Sequence, residues 1–422
     1  MKKASFARTG LGALQGLLGG RRRYGRAVAV LADLGAHYAR ALGDPAALAD
    51  AHAHGAERVA QLCRRNGASW VKAAQFFSCR PDVLPPQYII ALQDLQNDGR
   101  PAPMRKIEPI LRRCFGDGWR DILRDFDPQP VAVASIAQVH RARLANGQEV
   151  AVKIRLPEVK ELFQQDVRVF RLLARLVAPF FKELDFVQIT ETLLTMTAEE
   201  LDFRIEARNL KRFAGIQHPP GINVPTLVEP LSNERVLVTH WVEGKRLRDY
   251  LDAHRDQAAH LLTLLFASYL QQVTRAGVYQ ADPHPGNFLV ADDGTITILD
   301  FGTIGVLDAS EVKNYSRLLY GLMGYGGDVD IGQLFVDAGF VGGNPDTLRE
   351  LALYVLSDRL KKSNPAVAMG DLLELFRENQ VRIPDSYIGI ARVLITLGGF
   401  LMNYDVPFDW RPPEQRGLSV ER

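Results

Sequence analysis

Three polar side chains that could hold a metal ion lie close together in the stretch YQADPHPGNFLVADDGTITILDFG, residues 279–302. They are Asp282, Asn287 and Asp300. Carboxylate and amide oxygens are ligands that Mg²⁺ prefers, and Mg²⁺ commonly takes its remaining ligands from phosphate groups. Asp-Gly turns and Asp-Phe-Gly tripeptides each arise by chance, but Asp-x-x-x-x-Asn followed by Asp-Phe-Gly is far more specific. The spacing predicts a metal–phosphate site.

The local elements around these residues are expected to bring them together. The segment DPHPGN is predicted to be a loop because its two prolines lack the backbone donors that a helix or central strand needs. Its glycine allows Asn287 to turn back towards Asp282. The segments FLV and TITIL are predicted strands joined by a turn at Asp293-Gly294, and this hairpin would place Asp300 beside Asn287. Positioning and charge neutralisation are the main requirements of phosphoryl transfer.

A site of this kind predicts an upstream lysine on a strand, and the segment EVAVKI offers Lys153. In an extended strand Val150 and Val152 would face one side while Ala151 and Lys153 face the other. Lys153 could then reach nucleotide phosphates. The alternative is an exposed lysine on an edge strand.

A lysine in that role normally needs a carboxylate from a nearby helix, and the segment AEELDFRIEARN is rich in them. Glu206 lies one turn beyond Asp202, which predicts that both share one helix face. Glu200 is predicted to face elsewhere. The alternative for the whole cluster is a solvated helix face.

The pattern along the chain predicts an α+β fold. Helices are predicted from Arg26 to about Arg124, with breaks at residues 43–45, 81–86 and 97–103. Two strands joined at Asn146-Gly147 follow, then a long helical stretch from Glu158 to about Phe213. Further strands are expected around a turn at residues 232–233, and the chain after Gly244 is mainly helical. We place domain boundaries so that the domains are 1–125, 126–242 and 243–422.

Composition and charge exclude several classes of protein. The 422 residues are 47% hydrophobic and carry 51 basic against 49 acidic residues, a net charge of +2. This balance argues against nucleic-acid binding. The three cysteines, Cys63, Cys79 and Cys114, are odd in number and irregularly spaced, which predicts a reducing compartment with neither a disulfide framework nor a zinc site.

The hydropathy pattern predicts a cytoplasmic protein with no transmembrane helix and no signal peptide. The apolar run from Ile388 to Met402 is interrupted by Arg392 and is shorter than the roughly 20 residues that a span needs, so it is predicted to be a buried helix. The first thirty residues are basic and surround the segment GLGALQGLLGG. They favour either a peripheral contact with an anionic membrane or a mobile solvated tail.

Taken together, these motifs resemble the UbiB/AarF family of atypical, protein-kinase-like proteins, and the resemblance extends from about Arg22 to Trp410. The segment WVKAAQFFSCRPDVLPPQYIIALQDLQND is similar to the family's N-terminal Lys-x-Gly-Gln segment, with Lys72 and Gln75 in matching places. The segment VAVASIAQVH, residues 131–140, resembles the alanine-rich loop that replaces the glycine-rich loop of ordinary kinases.

Two further segments complete the resemblance. EELD resembles the Glu-x-Asp motif through Glu200 and Asp202, and ADPHPGN and LDFG match the catalytic and metal segments. The resemblance implies a two-lobed kinase-like fold with an N-terminal helical extension. It also implies ATP and Mg²⁺ as cofactors.

The resemblance implies a role for each matching residue. Lys153 would contact phosphates and pair with Glu206, Asp282 would be the catalytic aspartate, and Asn287 and Asp300 would hold Mg²⁺. Lys72, near Glu200 or Asp202, and Gln75 would enter the site from the N-terminal helices. The implied nucleotide-binding residues are Val131, Ala132, Val133, Ala134, Ser135, Ile136, Ala137, Gln138, Val139, Lys153, Thr239 and Trp241.

Several positions depart from the family pattern. Ala74 replaces a glycine of Lys-x-Gly-Gln, Val133 interrupts the alanine run, Gln280 stands where a histidine is common, and His240 stands where the hinge commonly has a glutamate. None of these changes removes a predicted metal ligand or Lys153. The loop alanines carry Cβ atoms and take positive φ less freely than glycine, so an unusual nucleotide preference or slow turnover is expected.

The leading hypothesis is an ATP-dependent phosphotransferase or ATPase that supports ubiquinone biosynthesis at the inner face of a membrane. Its acceptor is expected to be a small or lipid-like molecule, with quinone-biosynthesis proteins as partners. One alternative is a nucleotide-binding scaffold that organises lipid-metabolism enzymes with little turnover. Another is a small-molecule phosphotransferase of the aminoglycoside or choline type, which the segments KAAQ and ELD disfavour.

Overall fold

The computed structural model describes residues 2–78, 80, 83–93, 95, 101–180, 185–322, 329–358 and 365–407, with side chains from residue 22 onwards except those of residues 180, 355–358 and 365–368. The described chain forms two compact units, residues 1–204 with 228–238 and residues 205–227 with 239–422. Parts of the predicted breaks at 81–86 and 97–103, and also Cys79 and Trp410, lie outside the described residues. The three-domain division remains a prediction.

The described helices are α1 (Lys2–Ala41), α2 (Pro45–Asn66), α3 (Ser69–Phe77), α4 (Pro86–Gln93), α5 (Met104–Phe115), α6 (Trp119–Ile122), α7 (Val159–Val177), α8 (Phe186–Glu200), α9 (Phe203–Ala214), α10 (Leu247–Ala253), α11 (Ala258–Gln271), α12 (Ala309–Leu322), α13 (Ile331–Asp337), α14 (Pro345–Asp358), α15 (Pro365–Glu378) and α16 (Asp385–Asn403). The described strands are β1 (Leu123–Arg124), β2 (Ala132–Val133), β3 (Ala137–Leu144), β4 (Glu149–Arg155), β5 (Ile222–Asn223), β6 (Val236–His240), β7 (Lys245–Arg246), β8 (Val278–Gln280), β9 (Phe288–Val290), β10 (Ile296–Ile298) and β11 (Ile304–Val306).

The first unit begins with a layer of helices. The predicted break between α1 and α2 is confirmed: Gly43 has φ 87°, and the carboxylate of Asp44 accepts the backbone N–H of Ala46 at 2.9 Å. This side chain caps α2 and so replaces a hydrogen bond that the first turn cannot make internally. A buried ion pair between Arg23 and Asp166 holds α1 against α7.

An antiparallel sheet forms the other part of the first unit, in the order β1-β3-β4-β6 with β2 paired to β3. The predicted hairpin is confirmed, since Gly147 has φ 89° at the turn and Val139 lies opposite Lys153. Val150 and Val152 are completely buried in the core beneath the sheet, whereas Lys153 is on the opposite face. The alternation of side chains along β4 is therefore as predicted.

The helical stretch predicted from Glu158 to about Phe213 consists of three helices, α7, α8 and α9. The prediction that Asp202 and Glu206 share a helix face is wrong, because Asp202 precedes α9. Its carboxylate accepts the backbone N–H of Arg204 at 3.1 Å and pairs with the guanidinium of the same residue. An aspartate competes well for backbone donors at a helix start, and here that local bond ends one helix and begins another.

The second unit has a small sheet in the order β5-β10-β9-β7, a β8–β11 pair, and a large helical core. The predicted hairpin of β9 and β10 is confirmed: Phe288 lies opposite Ile298, and Gly294 has φ 84° in the turn. The helix α11 ends in a π-helical turn, Gln272–Ala276, immediately before β8. Such turns commonly lie near functional sites.

Within the described part of the chain, one helix, α16, is long and apolar enough to cross a membrane, with a mean hydropathy of 1.3. Tyr387, Ile390 and Leu397 of this helix are buried in the core of the second unit, as predicted for the apolar run. A core helix passes the same test of length and composition. The glycine-containing segment near the N-terminus is part of α1; its side chains lie outside those described, so its contact with lipid remains a prediction.

Candidate active site

The side chain of Gln280 organises the candidate site in the second unit. This residue ends β8 and is fully buried. Its Nε2 donates to the backbone carbonyls of Asp282 at 2.8 Å and Asp300 at 3.2 Å. Its Oε1 accepts the backbone N–H of Asp282 at 3.1 Å and the hydroxyl of Tyr269 at 2.6 Å. One amide group therefore connects the two segments that carry the predicted carboxylates.

The residues behind Gln280 keep this amide in one orientation. Burial raises the pKa of Tyr269 well above its usual range, so its hydroxyl is neutral and can donate. The backbone N–H of Gln280 donates to Oε1 of Gln272 at 3.1 Å, from the π-helical turn. Sequence reasoning noted Gln280 only as a departure from a family pattern and did not predict this role.

The loop after β8 turns Asn287 back to Asp282, as predicted. The backbone N–H of Asn287 donates to the carbonyl of His284 at 2.8 Å in a short 3₁₀ turn. The Nδ2 of Asn287 donates to the backbone carbonyl of Asp282 at 2.9 Å and lies 3.4 Å from its Oδ2. Because the amide nitrogen makes these bonds, the amide oxygen is the end of the side chain available as a ligand.

The hairpin delivers Asp300 beside this loop. The N–H of Leu299 donates to the carbonyl of Asn287 at 2.9 Å, and Oδ1 of Asp300 accepts the N–H of Gly302 at 2.8 Å. Phe301 is buried, 5.1 Å from the ring of Phe213 on α9. This packing fixes the position of the Asp-Phe-Gly turn.

Arg392 is a residue of the site that sequence reasoning missed. Its Nη2 donates to Oδ1 of Asp282 at 2.7 Å, and both side chains are partly buried. The helix that carries it, α16, is separated from Asp282 by 110 residues in sequence. The available signal was a lone arginine within an apolar run, since a charge in such a run is rarely placed there without a partner.

The donor set in the second unit fits Mg²⁺. Asp300 supplies a carboxylate and Asn287 an amide oxygen, and the backbone bonds described above hold both segments in place. Mg²⁺ is commonly bound by one or two protein oxygens together with phosphates and water. These two residues are therefore the ones that would hold the ion.

Lys153 lies in the first unit, on the exposed side of β4. Its Nζ is 5.5 Å from the centre of the Phe203 ring, at the first residue of α9. Contact with an aromatic face restricts a lysine side chain without neutralising it. Glu206 is buried on α9 but belongs to the second unit, so its pairing with Lys153 remains a prediction.

The alanine-rich loop forms a hairpin between β2 and β3. The N–H of Val131 donates to the carbonyl of Val139, and the N–H of Ala134 donates to the carbonyl of Ala137, both at 2.8 Å. A phosphate would compete with these bonds for the two amides. The contacts of residues 131–139 with a nucleotide remain predictions.

The side chain of Gln138 has a structural role that was not predicted. It is buried, accepts the N–H of Ala102 at 2.8 Å, and donates to Nε2 of His140 at 2.7 Å. These bonds join β3 to the segment before α5. The side chain of Gln138 is therefore hydrogen-bonded within the first unit. Its predicted contact with a nucleotide would have to be made by the backbone.

An ion pair joins the predicted N-terminal segment to the acidic cluster. Nζ of Lys72 on α3 lies 2.8 Å from Oε2 of Glu200, the last residue of α8. Asp202 pairs with Arg204. Gln75 lies one turn beyond Lys72, and its carbonyl accepts the hydroxyl of Ser78 at 2.8 Å. The regulatory roles of these residues remain predictions.

The predicted hinge begins within the last two residues of β6, Thr239 and His240. Thr239 forms an antiparallel bridge with Leu227, and the N–H of His240 donates to the carbonyl of Thr226 at 2.8 Å. The division between the two units falls between residues 238 and 239. Contacts of Thr239 and Trp241 with an adenine ring remain predictions.

The chain is similar to several known proteins. A family model for the ABC1 atypical kinase-like domain matches residues 94–327. An uncharacterized protein of Synechocystis is 28% identical over 358 residues, which cover 79% of this chain and 86% of that protein. AarF domain-containing protein kinase 1 of Mus musculus is 30% identical over 282 residues, which cover 64% of this chain and 54% of that protein.

A solved structure shows the same fold. A Mycobacterium tuberculosis protein in complex with erythromycin has a TM-score of 0.57 and 24% identity, and the match covers 79% of this chain and 87% of that one. The predicted kinase-like α+β fold is confirmed. The chain spans about half the length of the mouse relative.

Proposed function

The chain belongs to the ABC1 (UbiB/AarF) family of atypical kinase-like proteins, and on this premise we propose that it is an ATP-dependent phosphotransferase or ATPase. The observation that carries the proposal is the pair of hydrogen bonds that Nε2 of Gln280 donates to the backbone carbonyls of Asp282 and Asp300. A nucleotide-binding scaffold would have no need to hold the catalytic aspartate in register with the metal-binding segment. An enzyme depends on that register.

Each residue of the cluster has a proposed task. Asn287 and Asp300 would hold Mg²⁺, which when bound neutralises charge on the phosphates. Asp282 would accept a hydrogen bond from the acceptor hydroxyl or water and so orient it. Lys153 is proposed to contact the nucleotide phosphates.

Arg392 is proposed as a positioning residue for Asp282. Arg392 donates to Oδ1 of Asp282, while Nδ2 of Asn287 lies nearer to Oδ2 of the same carboxylate. With one oxygen held by a guanidinium, rotation of the carboxylate is restricted and Oδ2 is the oxygen directed to the acceptor. The guanidinium makes a charge-assisted bond, which is stronger than a neutral one.

The acceptor is proposed to be a small or lipid-like molecule linked to ubiquinone biosynthesis, at the inner face of a membrane. The family resemblance supports the quinone link. The basic side chains of the segment 2–26, other than Arg23 with its buried partner Asp166, support contact with anionic lipid, since this segment forms the start of α1 without an acidic residue.

Hydrolysis of MgATP by the purified full-length chain tests the proposal, with Asp282→Asn as the inactive variant and Asp293→Asn as its matched control. Asp293 undergoes the same chemical change in the exposed turn of the same hairpin. We expect Asp282→Asn to lose turnover at least about 100-fold while it still binds MgATP, because its task concerns the reaction and not the affinity. Asp293→Asn should retain wild-type turnover.

Addition of anionic liposomes tests the membrane part separately. Stimulation of the wild type but not of Asp282→Asn would support an enzyme that works at a lipid surface. Turnover in Asp282→Asn equal to the wild type would refute the role of Asp282. Tight MgATP binding with no turnover above this variant, with and without liposomes, would indicate the scaffold instead.

A further inference from the structure

Two histidines and an aspartate converge in the helical layer of the first unit, far in sequence from the kinase motifs. Asp33 and His37 lie one turn apart on α1, and His54 lies on the neighbouring helix α2. Each offers one potential ligand atom, and these atoms all lie within 4.8 Å of one another. Within the described residues no other group of this kind is found.

The spacing of the donors suits one shared ion. Nε2 of His54 lies 3.0 Å from Oδ2 of Asp33. Two ligands that each lie about 2.0–2.2 Å from a zinc ion are separated by about 3 Å, so this pair is already at ligand spacing. The i,i+4 relation of Asp33 and His37 places both on the same face of α1.

The ring of His37 is held as a metal-binding histidine commonly is. Its Nδ1 lies 2.9 Å from the backbone carbonyl of Asp33 and 3.4 Å from Oδ1 of the same residue. Ligating histidines usually donate their other N–H to a carbonyl or carboxylate in this way. The rings of His37 and His54 are stacked with centroids 3.9 Å apart. Because an imidazole binds a metal ion in its own plane, one of the two rings would turn about its side-chain bonds to share the ion.

The guanidinium of Arg58 binds the carboxylate that a metal ion would use. Its Nε donates to Oδ2 of Asp33 at 2.8 Å, the same oxygen that faces His54. The side chains of Arg58, Asp33, His37 and His54 are each 28–36% exposed. The guanidinium can therefore move into solvent, and water can complete the coordination of an ion.

We propose that Asp33, His37 and His54 form a site for a divalent transition-metal cation such as Zn²⁺, and that Arg58 occupies its carboxylate when the cation is absent. The ligand set, two imidazoles and one carboxylate with room for water, is one that Zn²⁺ accepts. A bound ion joins α1 to α2. The proposal is independent of the nucleotide chemistry of the second unit.

The test is a calorimetric titration of Zn²⁺ into the full-length, chelator-treated protein, together with the absorption spectrum of the Co²⁺ form. We expect His54→Ala and Asp33→Asn to weaken binding at least about tenfold, because each loses a ligand of a three-ligand site. His260→Ala is the matched control, since His260 is an exposed histidine in the other unit; it should bind as the wild type does.

Arg58→Gln distinguishes a site from a mere hydrogen-bonded cluster. Removal of a competing exposed ion pair should tighten Zn²⁺ binding about fivefold. Asp33→Asn keeps the shape of the side chain, so its loss of binding cannot be attributed to failure to fold, which circular dichroism verifies. Absence of saturable binding in both the wild type and Arg58→Gln would overturn the proposal. Unchanged affinity in His54→Ala, or a sulfur-to-cobalt charge-transfer band, would place the metal elsewhere and overturn it equally.

Discussion

Replacement of Gln280 by methionine tests whether one amide group determines the geometry of the site. Methionine has a similar length and is apolar, so it fills the buried position without offering a donor or an acceptor. The carbonyl of Asp282 retains two donors, the N–H of His284 and Nδ2 of Asn287. The N–H of Asp282 and the hydroxyl of Tyr269 lose the acceptor that they share.

The magnitude follows from these two donors. A buried group left without its partner costs about 1–3 kcal/mol, so the two donors together should lower the free energy of unfolding of Gln280→Met by about 2–6 kcal/mol. For a unit of about 200 residues, 1 kcal/mol changes the melting temperature by about 2–4 °C, so the melting temperature should fall by at least about 4 °C. Displacement of Asp282 relative to Asp300 by about 1 Å should lower kcat about 10- to 100-fold.

Thermal unfolding and MgATP turnover of Gln280→Met measure both effects. Gln271→Met is the matched control, because Gln271 makes one exposed hydrogen bond from the end of α11 and should tolerate the same change. The double variant Gln280→Met, Tyr269→Phe removes the orphaned hydroxyl, and it should be less destabilised than the two single changes predict by addition. Wild-type stability and turnover in Gln280→Met would refute the argument.

Two further predictions concern single side chains. Arg392→Met should lower kcat about five- to tenfold with little change in the KM for ATP, and Arg392→Lys should restore part of it; a kcat equal to the wild type would remove the positioning role. Burial lowers the pKa of His140 below its usual range, and its two nitrogens are engaged by Gln138 and the carbonyl of Asp127 as in a neutral ring. The stability that neutral His140 gives the folded protein is therefore complete above the unfolded-state pKa of about 6.5, and it is lost as the pH falls towards the lower pKa of the folded state. Between pH 7.5 and pH 5.5, the free energy of unfolding measured by chemical denaturation should fall less in His140→Gln than in the wild type. An equal fall in both proteins would contradict this account.

Much of the candidate site was predictable because its signals are local. The prolines of DPHPGN, the Asp293-Gly294 turn and the alternation along β4 depend on residues close in sequence, and all three are confirmed. The wrong prediction at Asp202 failed for a local reason as well. Helical periodicity does not reveal where an aspartate caps a new helix instead of continuing the old one.

The sequence by itself determined the kinase-like motifs, the succession of mainly helical and strand-containing regions, and the residues suited to Mg²⁺, because turn chemistry and strand alternation are properties of short segments. Tertiary structure alone decided the partners of those residues. Arg392 reaches Asp282 across 110 residues, Gln138 binds the segment before α5, and the histidines of α1 and α2 meet at one carboxylate. Such partners are selected by the packing of distant elements, and no period or spacing within one element encodes which side chains will meet.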